Sequence, residues 1–130
     1  MSYVKFKPLT AELNYTSVVT KEEIEPELLQ LFDAHEEVFI VCKATRDLVV
    51  LTNKRIMILD RKGVRGFRRQ IYSVMYRSIS TYSIDIHNFN TAIELITDSG
   101  YQLVLTFSKP IPLETMFDIY KYISSKLLEK

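Results

Sequence analysis

Apolar positions in this chain come mainly as short aliphatic runs and period-two alternations, with a helical period only near the two ends. The stretch Arg46–Ile79 sets the pattern. Leu48–Leu51 and Ile56–Leu59 are aliphatic at every position and too short for independent helices. Bounded by polar residues, they predict strands with both faces at least partly buried. Thr52-Asn53-Lys54-Arg55 separates them, and because Asn53 tolerates a left-handed backbone, a two-residue hairpin is expected. Gly63 and Gly66 punctuate the next connection, Arg61–Phe67. Seven strands are predicted in all, at about 37–45, 47–52, 55–60, 67–76, 78–87, 91–98 and 101–108. The fifth alternates, with Tyr82, Ile84 and Ile86 on one face. The seventh sets Tyr101, Leu103, Leu105 and Phe107 against Gln102, Val104 and Thr106. Asp98-Ser99-Gly100 supplies hairpin chemistry between the last two, since Gly100 can take a positive φ.

The helical period marks two segments. Thr20–Phe32 reads as a helix with an apolar stripe at Ile24, Leu28, Leu29 and Phe32. Thr20 and Glu23 have the spacing of a capping box. Pro26 costs this helix a hydrogen bond unless it begins near Glu25. The second helix runs from about Pro112 to Leu128, with Leu113, Met116, Phe117, Tyr120, Ile123 and Leu127 as its buried face. Residues 1–19, which include Tyr3, Val4 and Phe6, show no clear period and are read as an N-terminal extension to a single domain at 20–130.

Composition narrows the function classes. A net charge of +1 gives no bulk argument for nucleic acid or an acidic partner. The charge is segregated, however. Glu22, Glu23, Glu25, Glu27, Asp33, Glu36 and Glu37 crowd one end, while Lys54, Arg55, Arg61, Lys62, Arg65, Arg68 and Arg69 crowd the middle. An acidic end and a basic flank suit head-to-tail association of copies. Cys42 is the single cysteine, which excludes an internal disulfide and points to a reducing compartment. With no apolar run of membrane-spanning length and no signal-like N-terminus, a cytoplasmic location is expected.

Candidate chemistry is sparse. Cys42 lies mid-strand and alternates with Val38 and Ile40, which reads as a small core residue rather than a nucleophile. His35 and His87 do not have the spacing of a zinc site. Gly63-x-x-Gly66 is not a phosphate loop. Asp60, Asp85 and Glu94 fall on strands without a nucleophile–base–orienter set, so an enzyme is not expected, nor a metal or cofactor. The basic residues Arg61, Lys62, Arg65, Arg68 and Arg69 are the candidate anion-binding group. At about 1 kcal/mol each near an anionic surface, five give at most about 5 kcal/mol. That is too weak to anchor a monomer, but useful through avidity.

The order of motifs resembles the bacterial pleckstrin-homology-like (PH-like) domain family, formerly a domain of unknown function. The likeness rests on Arg46-Asp47-Leu48-Val49-Val50-Leu51-Thr52-Asn53-Lys54-Arg55, then Asp60, Lys62-Gly63 and Gly66-x-Arg68-Arg69, then Tyr76-Arg77-Ser78-Ile79 and an acidic–apolar strand around Glu94. It covers about residues 20–128. Met75 stands where the family commonly has proline. The resemblance implies a mainly β (α+β) fold: a barrel or sandwich of seven antiparallel strands in two near-orthogonal sheets, capped by the C-terminal helix, here with an extra N-terminal helix. It also implies closed cyclic homo-oligomers with a shared hydrophilic surface for protein partners, and no enzymatic activity. Phosphoinositide binding is not carried over, because Lys43-Ala44-Thr45-Arg46 holds few basic residues.

The expectation is therefore a non-enzymatic interaction module that forms a homo-oligomeric ring and binds an unidentified protein partner. Arg46, Asp47, Asn53, Lys54, Arg55, Arg77 and Ser78 are the candidate polar interaction surface. The alternative is a peripheral binder of anionic lipid headgroups or phosphates through the basic 61–69 hairpin. Nucleic acid is not an expected partner, since the aromatics read as core alternation rather than a stacking platform.

Overall fold

The structure, a computed structural model, describes residues 14–63 and 68–129. Strands β1 (Asn14–Tyr15), β2 (Ser17–Val19), β3 (Val38–Ala44), β4 (Asp47–Thr52), β5 (Arg55–Lys62), β6 (Arg68–Met75), β7 (Ile79–Ile86), β8 (Asn90–Thr97) and β9 (Gln102–Ser108) are joined by helices α1 (Pro26–Leu29) and α2 (Leu113–Leu128). The chain divides into two compact units, Tyr15–Tyr76 and Met1–Asn14 with Arg77–Lys130.

The first unit is a five-stranded antiparallel meander in the order β2-β3-β4-β5-β6. The aliphatic runs of β4 and β5 are its centre, and all six β4 residues are buried. One face carries Val41, Leu48, Val50, Met57 and Leu59, packed with Ile24 into a single cluster. The other face buries Cys42, Val49, Leu51, Ile56 and Ile58 completely. Each such side chain contributes about 1.5–3 kcal/mol by leaving water. An extra residue, Phe39, shifts the β3 register between Val38 and Ile40. Val38 therefore packs with the Ile24 cluster instead of sharing the Cys42 face.

Residues 20–32 depart from the expected helix. They form a 3-10 turn at Lys21–Glu23 and a single α turn at Pro26–Leu29, with Ile24 and Glu25 extended between them. Thr20 makes no side-chain capping bond. The reason is Pro26, which removes the hydrogen bond a continuous helix needs and begins a new turn behind Glu25. Ile24, Leu28 and Phe32 still reach the sheet face, while Leu29 is turned outward.

The turns differ from expectation in the same local way. The β4–β5 connection has two residues, but Asn53 is not left-handed. Thr52 Oγ1 instead accepts from the backbone N–H of Lys54 and Arg55, both at 3.1 Å. The left-handed position among described non-glycine residues is Thr45, at φ 45°, in the β3–β4 turn.

The second unit holds a four-stranded sheet in the order β1-β9-β8-β7. β8 and β9 alternate strictly, burying Ile93, Leu95, Leu103, Leu105 and Phe107, which for β9 is what the period-two reading requires. Gly100 takes φ 87° in the β8–β9 turn. Helix α2 buries Met116, Ile119 and Ile123. Leu113 and Phe117, expected in that face, are each 44% exposed, and Ile119 takes their place. Pro112 precedes the first helical residue instead of occupying it.

Two expectations about architecture are corrected. Among the described residues there are nine strands rather than seven, because β1 and β2 add short edges to both sheets. The two sheets share no strand, so hydrogen bonding does not close into a barrel. The extra N-terminal helix is reduced to the two turns described above.

Candidate functional site

The charged cleft of the Tyr15–Tyr76 unit grows directly from strand register. β5 and β6 pair so that Leu59 faces Ile71 and Arg61 faces Arg69. On the same side, Lys43 pairs with Leu48, which pairs with Leu59. An aliphatic floor of Leu48, Leu59 and Ile71 thus ends in a rim of Lys43, Arg46, Arg61 and Arg69. The cleft has a volume of about 280 Å³.

The acidic residues of the 21–29 segment lie on this rim. Lys43 Nζ meets Glu23 Oε1 at 3.0 Å. The Glu25 carboxylate receives Arg61 on one oxygen and Arg69 on the other, and Arg69 also pairs with Glu27. The acidic end and basic flank, expected from sequence to join separate copies, meet within one chain. Glu23, Glu25 and Glu27 stand two residues apart, a spacing no helix would place on one face. That spacing was the available signal, and a helical reading conceals it.

The opposite end of the same sheet face is tied by a second node. Arg55 grips Glu36 with Nε and Nη2, both at 3.0 Å, and its Nη2 also donates to the Leu31 carbonyl at 3.0 Å. Thr52 Oγ1 donates to Glu36 Oε2 at 2.6 Å. The Glu36 side chain is wholly buried. Burial alone would raise its pKa, but the bonds from Arg55, Thr52 and the Asp33 amide outweigh it and hold the carboxyl below its ordinary value. Asn53 Oδ1 accepts from the Glu37 N–H at 2.7 Å, and its Nδ2 donates to the His35 carbonyl at 3.2 Å.

The predicted polar surface is therefore largely spent on local structure. Asn53 and Arg55 clamp the 31–37 loop. Asp47 is buried, and its Oδ1 accepts from the Arg61 N–H at 2.6 Å. Burial chiefly, with neighbouring Asp60, raises the Asp47 pKa against that bond. Arg46 Nη1 donates to the Gly63 carbonyl at 2.9 Å. Lys54 is exposed. Arg77 and Ser78 belong to the second unit, where Arg77 is exposed and the Ser78 carbonyl accepts from the Asp98 N–H at 2.7 Å. Of the anion-binding candidates, Arg61 and Arg69 come together, Lys62 is the backbone partner of an exposed Arg68 beside the β5–β6 connection, and Arg65 lies outside the described residues.

Cys42 and Tyr15 are two further titratable groups, both buried and poorly suited to reaction. The Cys42 thiol is fully buried, and burial pushes its pKa up to about 12. Tyr15 is likewise raised, first by burial and then by Asp47, Cys42 and Asp60.

A family model described as Bacterial PH domain matches residues 9–126, which spans both sheets and most of α2. The chain belongs to the bacterial PH domain family. Its similarity to the uncharacterized protein YjqA of Bacillus subtilis (strain 168) is 30% identity over 115 residues, covering 87% of this chain and 92% of that protein. Among solved structures, a DUF1696 family protein with a pleckstrin-homology domain from Shewanella loihica PV-4 superposes with TM-score 0.76 at 24% identity, covering 88% of this chain and 98% of the other. A pleckstrin homology domain from Shewanella amazonensis SB2B gives TM-score 0.65 at 24% identity, with coverage of 85% and 90%. At these identities the two structures establish a shared PH-like fold. Among the described residues, no helix is long and apolar enough to cross a membrane.

Proposed function

We propose that this bacterial PH domain is a non-enzymatic interaction module that self-associates into a ring through its strand edges and offers a polar surface to a protein partner. The observation that carries this reading is the edge strand β7. It is eight residues long and pairs with β8 alone among the described strands. It contains no Lys, Arg or Pro to blunt it against pairing, and its single charged residue is Asp85, near the C-terminal end. β6 ends the other sheet with the same length but begins with Arg68 and Arg69, so its unblunted part is the stretch 70–75. Two unlike edges favour a head-to-tail contact, which closes into a ring when the rotation permits. Within the Tyr15–Tyr76 unit, the exposed Lys54 and Arg46 remain as the polar surface. The buried thiol suits a reducing, cytoplasmic setting.

The test is native mass spectrometry at low and moderate salt on the wild type and on Thr81→Lys/Ser83→Lys, which places two charges on exposed positions of β7. A discrete oligomer that dissociates in the variant is expected. A wild-type monomer near 15.2 kDa at both salt concentrations would end the reading.

A second reading, binding of anionic headgroups or phosphates by the 61–69 hairpin, is favoured by one observation. Arg61 and Arg69 are direct cross-strand partners and already hold a carboxylate between them.

A further inference from the structure

Two guanidinium groups directly opposite each other on adjacent strands repel unless an anion lies between them. At Arg61 and Arg69 that anion is Glu25, which gives one oxygen to each. The arrangement is the two-pronged arginine grip used for phosphate, with an internal carboxylate in place of the ligand.

We propose that Arg61 and Arg69 form a phosphate site that Glu25 occupies in cis, so that the 21–29 segment carries a built-in competitor for the ligand. The proposal rests on the second reading above and specifies how that site is controlled.

Three observations support it beyond the pair itself. The Glu25, Arg61 and Arg69 side chains are 28%, 35% and 33% exposed, so although Glu25 Oε1 itself is buried, the side chain borders water and can turn outward without unfolding its segment. That segment is held independently by Ile24, which is buried in the sheet cluster, and by the Lys43–Glu23 pair. The cleft also has room. Its 280 Å³ exceeds the roughly 30 Å³ share of one water several-fold, enough for a tetrahedral oxyanion with part of its hydration.

Charge decides the balance. Lys43, Arg46, Arg61 and Arg69 line the cleft against Glu23, Glu25 and Asp60, with Glu27 paired to Arg69 at the margin. Because Glu23 keeps Lys43 and Glu27 is the most exposed of the three acids, moving Glu25 alone changes the site from neutralised to cationic. A phosphate dianion then brings more charge and more acceptor oxygens than the carboxylate it replaces. The wild-type affinity is lowered by the fraction of time Glu25 is in place.

The test is calorimetric titration of the full-length protein with inorganic phosphate at constant ionic strength. It compares wild type, Glu25→Ala and Glu25→Ala/Arg69→Ala, with folding checked by circular dichroism. Glu25→Gln serves as the shape-preserving variant should the alanine protein not fold. Removing Glu25 is expected to tighten phosphate binding by about tenfold or more, and the added Arg69→Ala to abolish the gain. A parallel arm measures co-sedimentation with phosphatidylcholine vesicles containing phosphatidic acid. Uptake in the same order of variants identifies a lipid headgroup as the source of the phosphate, and titration without uptake identifies free phosphate; either supports the site. Equal phosphate affinity of wild type and both Glu25 variants overturns cis-occupancy while leaving an anion site standing. Absence of binding by every protein overturns the anion reading itself.

Discussion

Glu36→Gln probes the node that fastens the 31–37 loop. In the wild type the buried carboxylate accepts from Arg55 Nε and Nη2, from Thr52 Oγ1 and from the Asp33 N–H at 3.1 Å. An amide of the same shape keeps one acceptor and turns a donor toward groups that themselves donate. At least one charge-assisted bond is lost, and a guanidinium only 22% exposed keeps no carboxylate. Truncating one partner of a buried pair costs about 3–5 kcal/mol. Because Arg55 retains some water and the Leu31 and Ser73 oxygens, we expect about 2–3 kcal/mol here. The folded-state pKa of Glu36 is depressed, so its contribution is fully present above the unfolded value and is lost as pH falls through the folded one. The difference between wild type and variant should therefore be constant above about pH 5 and close in stronger acid, where a protonated Glu36 resembles Gln. The assay is urea unfolding followed by circular dichroism and tyrosine emission, since the chain has eight Tyr and no Trp. A loss below about 0.5 kcal/mol at neutral pH, or a gap that does not narrow in acid, would refute the reasoning.

Two further substitutions examine the same sheet. Thr45→Gly should stabilise the protein by about 0.5–1 kcal/mol, because a β-branched residue sits at φ 45°; an unchanged or lower urea midpoint would contradict the strain. Ile24→Ala should cost about 2–4 kcal/mol, because Ile24 is buried in the main cluster; a loss under about 1 kcal/mol would mean that the 21–29 segment is not packed as described.

The parts of the site differ in how legible they were. Arg61 and Arg69 are eight positions apart on either side of a glycine-marked connection, so a hairpin reading brings them near each other. Their partner was hidden. Glu25 was counted within a helix, and a helix would have pointed Glu23, Glu25 and Glu27 in different directions. The local roles of the polar candidates were hidden for another reason. Asn53 and Arg55 look like exposed turn residues in any local window, and only contact with His35, Glu36 and Glu37 about 16–19 positions earlier shows that they are structural.

What the sequence determined by itself is what repeats over short distances. Period-two alternation placed β7 and β9, aliphatic runs placed β4 and β5, and Gly100 placed a turn, because these follow from the geometry of one strand and its nearest neighbour. The tertiary structure decided what depends on register and on competing partners. It put Arg61 opposite Arg69 and brought Glu25 between them. It replaced Leu113 and Phe117 with Ile119 in the buried face of α2, and it broke the first helix at Pro26. Except at Pro26, where the ring itself stops the helix, a distant surface supplied the energy that outweighed the local preference.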